Sequence, residues 1–387
     1  MKQLYKWGGV FISLLSLFSF MVSCSVHGTG EIDNKTEPTS YTVTVASGIE
    51  HGSVTANPTS AAAGTEIVLT VTPETGYKLK TLTVTKAAGG EVTTTPDNNT
   101  PTKYKFTMPE SNVNVSAVFE HASKNIPLTL EAIAAGTITI TNPWSTLKFT
   151  KNGGELTSCG GAAEHEIIVE ANDIICFYAE SSGNSSANYG NNNMKISCTA
   201  DCYVYGNIMS LVTLETGATS ASQWNPEETT LTTGYAFNRL FWQNSPNSHI
   251  KNHATKTLYL PATTLTAHCY ESMFYQCTAL TTAPKLPATT LTDFCYASMF
   301  KQCTALTTAP ELPAATLTES CYANMFTECT SLSYIKCLAT DISALGCTTI
   351  WVRDVATSGT FVRPASTTGW TTGEHGIPSG WTTEDAQ

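Results

Sequence analysis

The chain has 387 residues and a formal net charge of −11, and only 13% of its residues are charged, against roughly 25% in an average soluble protein. A length of this order holds about two to four domains and at least one real core. The acidity, and the lack of any run of basic residues, argue against nucleic acid as a partner, because a phosphate-binding face gathers Lys and Arg.

In place of charge the chain uses Thr, Ser, Ala and Asn, which suits an extracellular β-rich protein with a neutral polar surface. The first element is a targeting segment. Lys2 and Lys6 precede an uncharged apolar run at 10–22. That run is short of the roughly 20 residues of a membrane span but suits the hydrophobic region of a signal peptide. Met21-Val22-Ser23-Cys24 resembles the lipobox of bacterial lipoproteins, with Met where Leu is commonest. The resemblance implies removal of a signal peptide at 1–23, lipidation of Cys24 and a lipid anchor in the outer membrane. The alternative is an ordinary signal peptide with an incidental Cys. Residues 24–40 are polar and poor in large apolar side chains, so they read as a flexible tether. Within them Glu31 and Asp33 resemble the acidic export signals that follow the lipobox Cys in some Bacteroidetes, which points to cell-surface exposure.

Residues 41–120 read as a β domain. Tyr41-Thr42-Val43-Thr44-Val45, 67–72, 82–85 and 113–119 alternate apolar and polar with many β-branched side chains. Turn punctuation falls between them at Gly48, Gly52, Pro58, Gly64, Gly76, Gly89-Gly90 and Pro101. Ala63-Gly64-Thr65, Thr72-Pro73-Glu74-Thr75-Gly76-Tyr77-Lys78-Leu79 and Tyr104-Lys105-Phe106-Thr107-Met108-Pro109 resemble the bacterial surface repeat related to internalin B-repeats. The resemblance implies a β-grasp-like or sandwich module used as a stalk or spacer. A second β domain is predicted over 124–215, with strands at 137–140, 166–169 and 174–178 and a long loop at 181–193.

Residues 230–350 hold a repeat array. Leu260-Pro261-Ala262-Thr263-Thr264-Leu265-Thr266 recurs at 286 and at 312, a fixed spacing of 26. Cys269, Cys295 and Cys321 keep it, as do Met273, Met299 and Met325, then Phe274, Phe300 and Phe326, then Cys277, Cys303 and Cys329. A fixed period in this range signals a solenoid whose units bury their apolar sets by stacking, at about 4.8 Å per layer. Residues 236–243 mirror 269–276, and Cys347 keeps the spacing downstream. Trp351, Trp370 and Trp381 are placed to close the far end, in a cap at 351–387. Apolar spacing predicts a helical turn at 269–274, and a strand is predicted over 279–286. The fold class expected for the whole chain is mainly β with short helical turns: two small β domains, then the solenoid.

The pattern Cys-Tyr-x-x-Met-Phe-x-x-Cys-Thr-x-Leu, followed by a Leu-Pro segment, resembles the BspA-like leucine-rich repeat of Bacteroidetes and spirochaete surface proteins. Met-Phe stands here where that family usually has Ala-Phe. The resemblance covers about a third of the chain. It implies binding to host extracellular matrix or cell-surface proteins. The columns that vary between units form the candidate ligand-binding face: Ala267, Asp293 and Glu319; His268, Phe294 and Ser320; Tyr275, Lys301 and Thr327. Solvated positions free to drift would vary in the same way.

The remaining chemistry is sparse. Cys24 apart, twelve Cys remain. The periodic ones read as buried thiols acting as small hydrophobes, although neighbours in a column could reach disulfide distance. Cys198-x-x-x-Cys202 fits a bridge across a turn or half a metal site, with no second ligand pair to complete it. His249 and His253 lack a third ligand, and Glu164-His165-Glu166 reads as a polar strand face. No nucleophile elbow, phosphate loop or dinucleotide fingerprint occurs. The expectation is a non-catalytic, adhesin-like surface lipoprotein with no cofactor and no metal. The alternative is a glycan-capture lipoprotein of a nutrient-uptake system, using Tyr275, Phe294 and Trp242 as stacking rings. A hydrolase in 124–215 is the third reading.

Overall fold

A computed structural model describes residues 39–160, 162–180, 193–242, 247–367 and 369–386. The signal segment, Cys24 and nearly all of the tether lie outside the described residues. So does the loop expected at 181–193, apart from Asn193. The described chain is mainly β, with a single short 3-10 helix at Ile208–Leu211.

The first eight strands form two four-stranded sheets. These are β1 (Ser40–Val45), β2 (Gly52–Asn57), β3 (Ser60–Ala62), β4 (Glu66–Pro73), β5 (Tyr77–Lys86), β6 (Thr95–Asp97), β7 (Thr100–Thr107) and β8 (Val113–His121). One sheet runs β3-β1-β8-β5 and the other β2-β4-β7-β6. Alternation decides which side chains point inward. Ile67, Leu69 and Val71 of β4 and Val113, Val115 and Phe119 of β8 share one core, while Val118 faces out. Gly52 is required where the sheets meet: a Cβ there would lie 2.6 Å from the Phe119 ring.

This module is docked onto the rest of the chain through aromatic side chains. His121 stacks on Tyr259 at 4.1 Å and meets Tyr77 edge-on at 5.3 Å. Lys285 lies 4.5 Å from the centre of the Tyr77 ring and 3.6 Å from the Glu74 carboxylate. His121 Nδ1 accepts from the Ser123 N–H at 3.2 Å, so the neutral ring carries its proton on Nε2, 3.3 Å from Thr257 Oγ1. Burial first, then the charges of Lys285 and His51, push the His121 pKa down to about 4. A His with a lowered folded pKa stabilises the fold fully above its unfolded pKa, near 6.5, and that stabilisation is lost as pH falls toward 4. The shift corresponds to roughly 3 kcal/mol, so the docked state should loosen across that window. Denaturant titrations between pH 7 and pH 4 should show a steep loss of stability that His121→Gln flattens. An equal slope in both proteins would remove His121 as the cause.

The next strands are β9 (Leu128–Ala132), β10 (Gly136–Thr141), β11 (Lys148–Lys151), β12 (Thr157–Ser158), β13 (Glu164–Val169), β14 (Ile174–Tyr178), β15 (Lys195–Cys198) and β16 (Cys202–Asn207). They form a sheet β13-β10-β15 and a larger one, β12-β11-β14-β9-β16. The larger sheet does not end at β16. It continues in parallel into β17 (Ile250–Asn252) and β18 (Leu258–Tyr259), which belong to the repeat array. One apolar core accordingly runs from Leu128 to Trp381.

In the array the expected helical turn at 269–274 is absent. Odd-numbered N–H groups bond back three residues, as Cys269 to Thr266 O and Met273 to Tyr270 O. Even-numbered ones bond forward to the next unit, as Tyr270 to Cys295 O (3.0 Å) and Phe274 to Met299 O (2.9 Å). His268, Ser272 and Gln276 have φ of 59°, 56° and 67°, the left-handed residue that a type II turn places third. The segment is a run of four-residue turns, and four-residue spacing mimics the apolar rhythm of a helix.

The strand expected over 279–286 is absent too. Pro284 and Pro287 have no N–H to give to a neighbouring unit. Where the prolines disappear, strand structure returns. β19 (Tyr334–Lys336) pairs in parallel with β20 (Thr360–Arg363), which pairs with β21 (Thr382–Asp385).

Stacking builds ladders of like residues inside the array. Phe241, Phe274, Phe300 and Phe326 follow one another at 5.5, 5.6 and 5.9 Å, and Phe237, Tyr270, Tyr296 and Tyr322 form a second ladder. Both end on Trp351, which is fully buried and donates from Nε1 to Gly376 O at 2.8 Å. The periodic cysteines are free and buried beside these ladders. Burial pushes the Cys269 and Cys329 thiols up to about 12, and Cys329 Sγ donates to Phe300 O at 2.9 Å.

Candidate binding face on the repeat array

The four-residue turns sort the wall of each unit. Residues 269, 270, 273, 274 and 277 are buried, whereas 267, 268, 271, 275 and 276 reach the surface wholly or in part. Two of the varying columns lie on the half-exposed positions and become ring ladders. Tyr235, His268 and Phe294 stack at 4.4 and 4.7 Å with planes within 11°. Trp242 and Tyr275 stack at 6.1 Å, and Lys301 Nζ lies 5.3 Å from the Tyr275 ring centre.

The expected face residues divide as follows. Ala267, Asp293 and Glu319 are exposed and form one column, continued by Leu345, which is 77% exposed. His268 is a rung between two rings, and its Nδ1 lies 2.7 Å from Glu271 Oε2. Beyond Phe294 its column shrinks to Ser320, whose neighbour in the next unit is Gly346. Tyr275 and Lys301 are half-buried together. Thr327 is a correction: it is fully buried, and its Oγ1 donates to Ile350 O, so it cannot meet a partner. Its column turns inward because Thr is short enough for the next unit's backbone to close over it.

Trp242 is named from the sequence only as a stacking ring of the glycan reading, and Tyr235, Arg239 and Lys195 are not named for the face at all. The alignment of 236–243 with 269–276, extended by one residue, carries the signal for Tyr235 and Arg239, since it sets them against His268 and Ser272, and it sets Trp242 against Tyr275. Lys195 comes from β15, and nothing in the repeat pattern points to it.

The other groupings singled out in the sequence have partners within the fold. His249 Nδ1 lies 3.0 Å from Asp201 Oδ1, while His253 packs edge-on to Tyr203 and Tyr205. Cys198 and Cys202 are free thiols, and Cys202 Sγ donates to Ala200 O at 3.5 Å. An open cleft of about 610 Å³ lies between 212–216 and 225–236, where Thr side chains and the carboxylates Glu215 and Glu228 alternate with apolar residues such as Val212, Leu214 and Leu231.

Residues 41–123 match the divergent InlB B-repeat domain family, so the N-terminal sandwich is an InlB-like β module. No curated protein and no solved structure matches the chain.

Proposed function

We propose that this chain is a surface-anchored binding protein whose repeat array is a BspA-like leucine-rich-repeat solenoid. The array presents its turn wall to a host matrix protein, a host cell-surface protein or a glycan, without catalysis. Lipid on Cys24 holds the chain at the outer membrane, and the tether and the InlB-like module stand between anchor and array. The observation that carries the reading is the pair of half-exposed ring ladders, Tyr235–His268–Phe294 and Trp242–Tyr275. They occur where the units differ in sequence, while the buried columns stay uniform. Aromatic side chains are enriched at the anchoring points of interfaces.

Two measurements on the full chain test it. Protease treatment of intact cells should degrade the protein; protection until the outer membrane is broken would end the surface reading. Phe294→Ser with Tyr275→Ser should weaken binding to matrix proteins or host cells by about tenfold or more at unchanged melting temperature. Unaltered binding would move the contact elsewhere. A fragment starting at 230 is a poor substitute, because β17 and β18 would lose their partner β16.

The glycan-capture reading is favoured by one feature, the cations gathered on Trp242 and Tyr275.

A further inference from the structure

Three cations converge on two rings at the start of the turn wall. Lys195 Nζ lies 4.3 Å from the Trp242 ring centre and Arg239 Cζ 5.2 Å from it, while Lys301 Nζ lies 5.3 Å from the Tyr275 ring centre. The two rings stack on each other, so a cation stands at either end of the pair. β15 brings Lys195 there: the Ile196 N–H donates to Leu240 O at 2.7 Å. All four other members come from the array.

None of the three cations has a carboxylate partner among the described residues. The adjoining segments 181–192 and 243–246 contain no Asp or Glu. The carboxylates nearest in the wall are occupied. Glu271 accepts from Asn238 Nδ2 at 3.0 Å and from His268, and Glu328 accepts from Gln302 Nε2 at 2.6 Å and from Arg353 at 3.4 Å. Burial and the neighbouring Arg239 charge lower the Lys195 pKa, the mark of cations crowded without a counter-ion. In a chain of net charge −11, with 20 Lys and Arg in all, such a gathering is a local inversion of sign.

We propose that Lys195, Arg239, Trp242, Tyr275 and Lys301 form a binding site for an acidic polysaccharide carrying sulfate or carboxylate groups. This deepens, and rests on, the reading of the turn wall as the binding face. The cations hold the rings through their π-faces and keep N–H donors for an anion, with Arg239 offering a planar fork that matches sulfate and carboxylate oxygens. The cations are separated by two rings along the stack, so the site takes anionic groups spaced along a chain. Gln276, half-buried beside Tyr275, adds an amide for sugar hydroxyls. Nucleic acid fits less well, because its dense charge would meet the repulsion of an acidic protein with only three free cations to offset it.

The test is titration of the full chain with a heparin-derived hexasaccharide, a neutral hexasaccharide of glucose and single-stranded DNA. The sulfated probe should bind, more weakly as salt is raised, and R239Q/K301Q should reduce its affinity by about tenfold or more at unchanged melting temperature. Lys301→Glu, at the far end of the ring pair, should lower it as well and leaves β15 untouched. Equal binding of the neutral probe, tighter binding of DNA or unchanged affinity in both variants overturns the proposal. If matrix proteins bind and the sulfated probe does not, this site falls while the general surface-binding reading stands. Saccharide binding by a chain that intact cells protect from protease would do the reverse.

Discussion

Phe300→Ala should lower the unfolding free energy of the chain by about 3–5 kcal/mol, the usual cost of deleting a buried ring. Phe300 is fully buried and sits between Phe274 and Phe326 at 5.6 and 5.9 Å, with planes within 4° of each. The hole would open in the middle of the ladder, where neither neighbour can collapse into it without breaking its own inter-unit bonds. Those bonds are Phe274 N–H to Met299 O and Phe300 N–H to Met325 O. Denaturant unfolding followed by tryptophan fluorescence reads the loss, since Trp351 ends the ladder. Phe300→Leu should cost less than half as much. A loss under about 1 kcal/mol for alanine would mean that the ladder is not a shared core.

The second large effect is expected from Gly206→Ala. Gly206 has φ of +95°, and a Cβ there would lie 1.9 Å from Pro127 O and 2.8 Å from Pro127 C. Both obstacles are backbone, so no side chain can swing aside. β16 pairs with β9 on one edge and with β17 and β18 on the other. Moving it would disturb both halves of the continuous core. The expected destabilisation is about 3 kcal/mol or more, enough to deplete folded protein during expression. Gly48→Ala is the control, with φ of +73° and nothing within 4 Å of the added carbon. It should cost about 1 kcal/mol, the conformational strain alone. Equal effects at both positions would refute the backbone collision.

Much of the interior was legible in the sequence because stacking forces like residues into columns. Leu265, Cys269, Met273, Phe274, Cys277 and Leu280 repeat at 26-residue spacing, and all are buried. The strands of the InlB-like module were legible for the same kind of reason: period-two alternation at 67–72 and 113–119 reports which face is wet. The backbone of the array was not legible. Its left-handed residues, Gly346 apart, carry side chains, as His268, Ser272, Gln276 and Phe294 do, and they hold that conformation through inter-unit bonds that local propensity does not encode. The continuity of β16 with β17 was hidden as well, since a parallel ladder between Cys202 and Ile250 leaves no mark on either segment alone.

Of the candidate face, the varying columns were visible and their chemistry was only partly so. Phe294, Tyr275 and Trp242 could be named, but the ladder that holds Phe294 also needed Tyr235 from a degenerate first unit. Thr327 varied like a surface residue and is buried. Lys195 reached the face from a different part of the chain. A search for basic runs misses a patch assembled from residues 195, 239 and 301.

The bonds between units also set how the array would answer a mechanical load. Between the units at 268–276 and 294–302 they are donated by His268, Tyr270, Ser272, Phe274 and Gln276, all pointing along the stack. A pull along that axis would peel them row by row, each layer yielding at low force. A pull across it would shear a whole row at once, and rows sheared together resist far more. The proposed function, with an anchor at one end and a ligand on the turn wall, would apply the second kind of load.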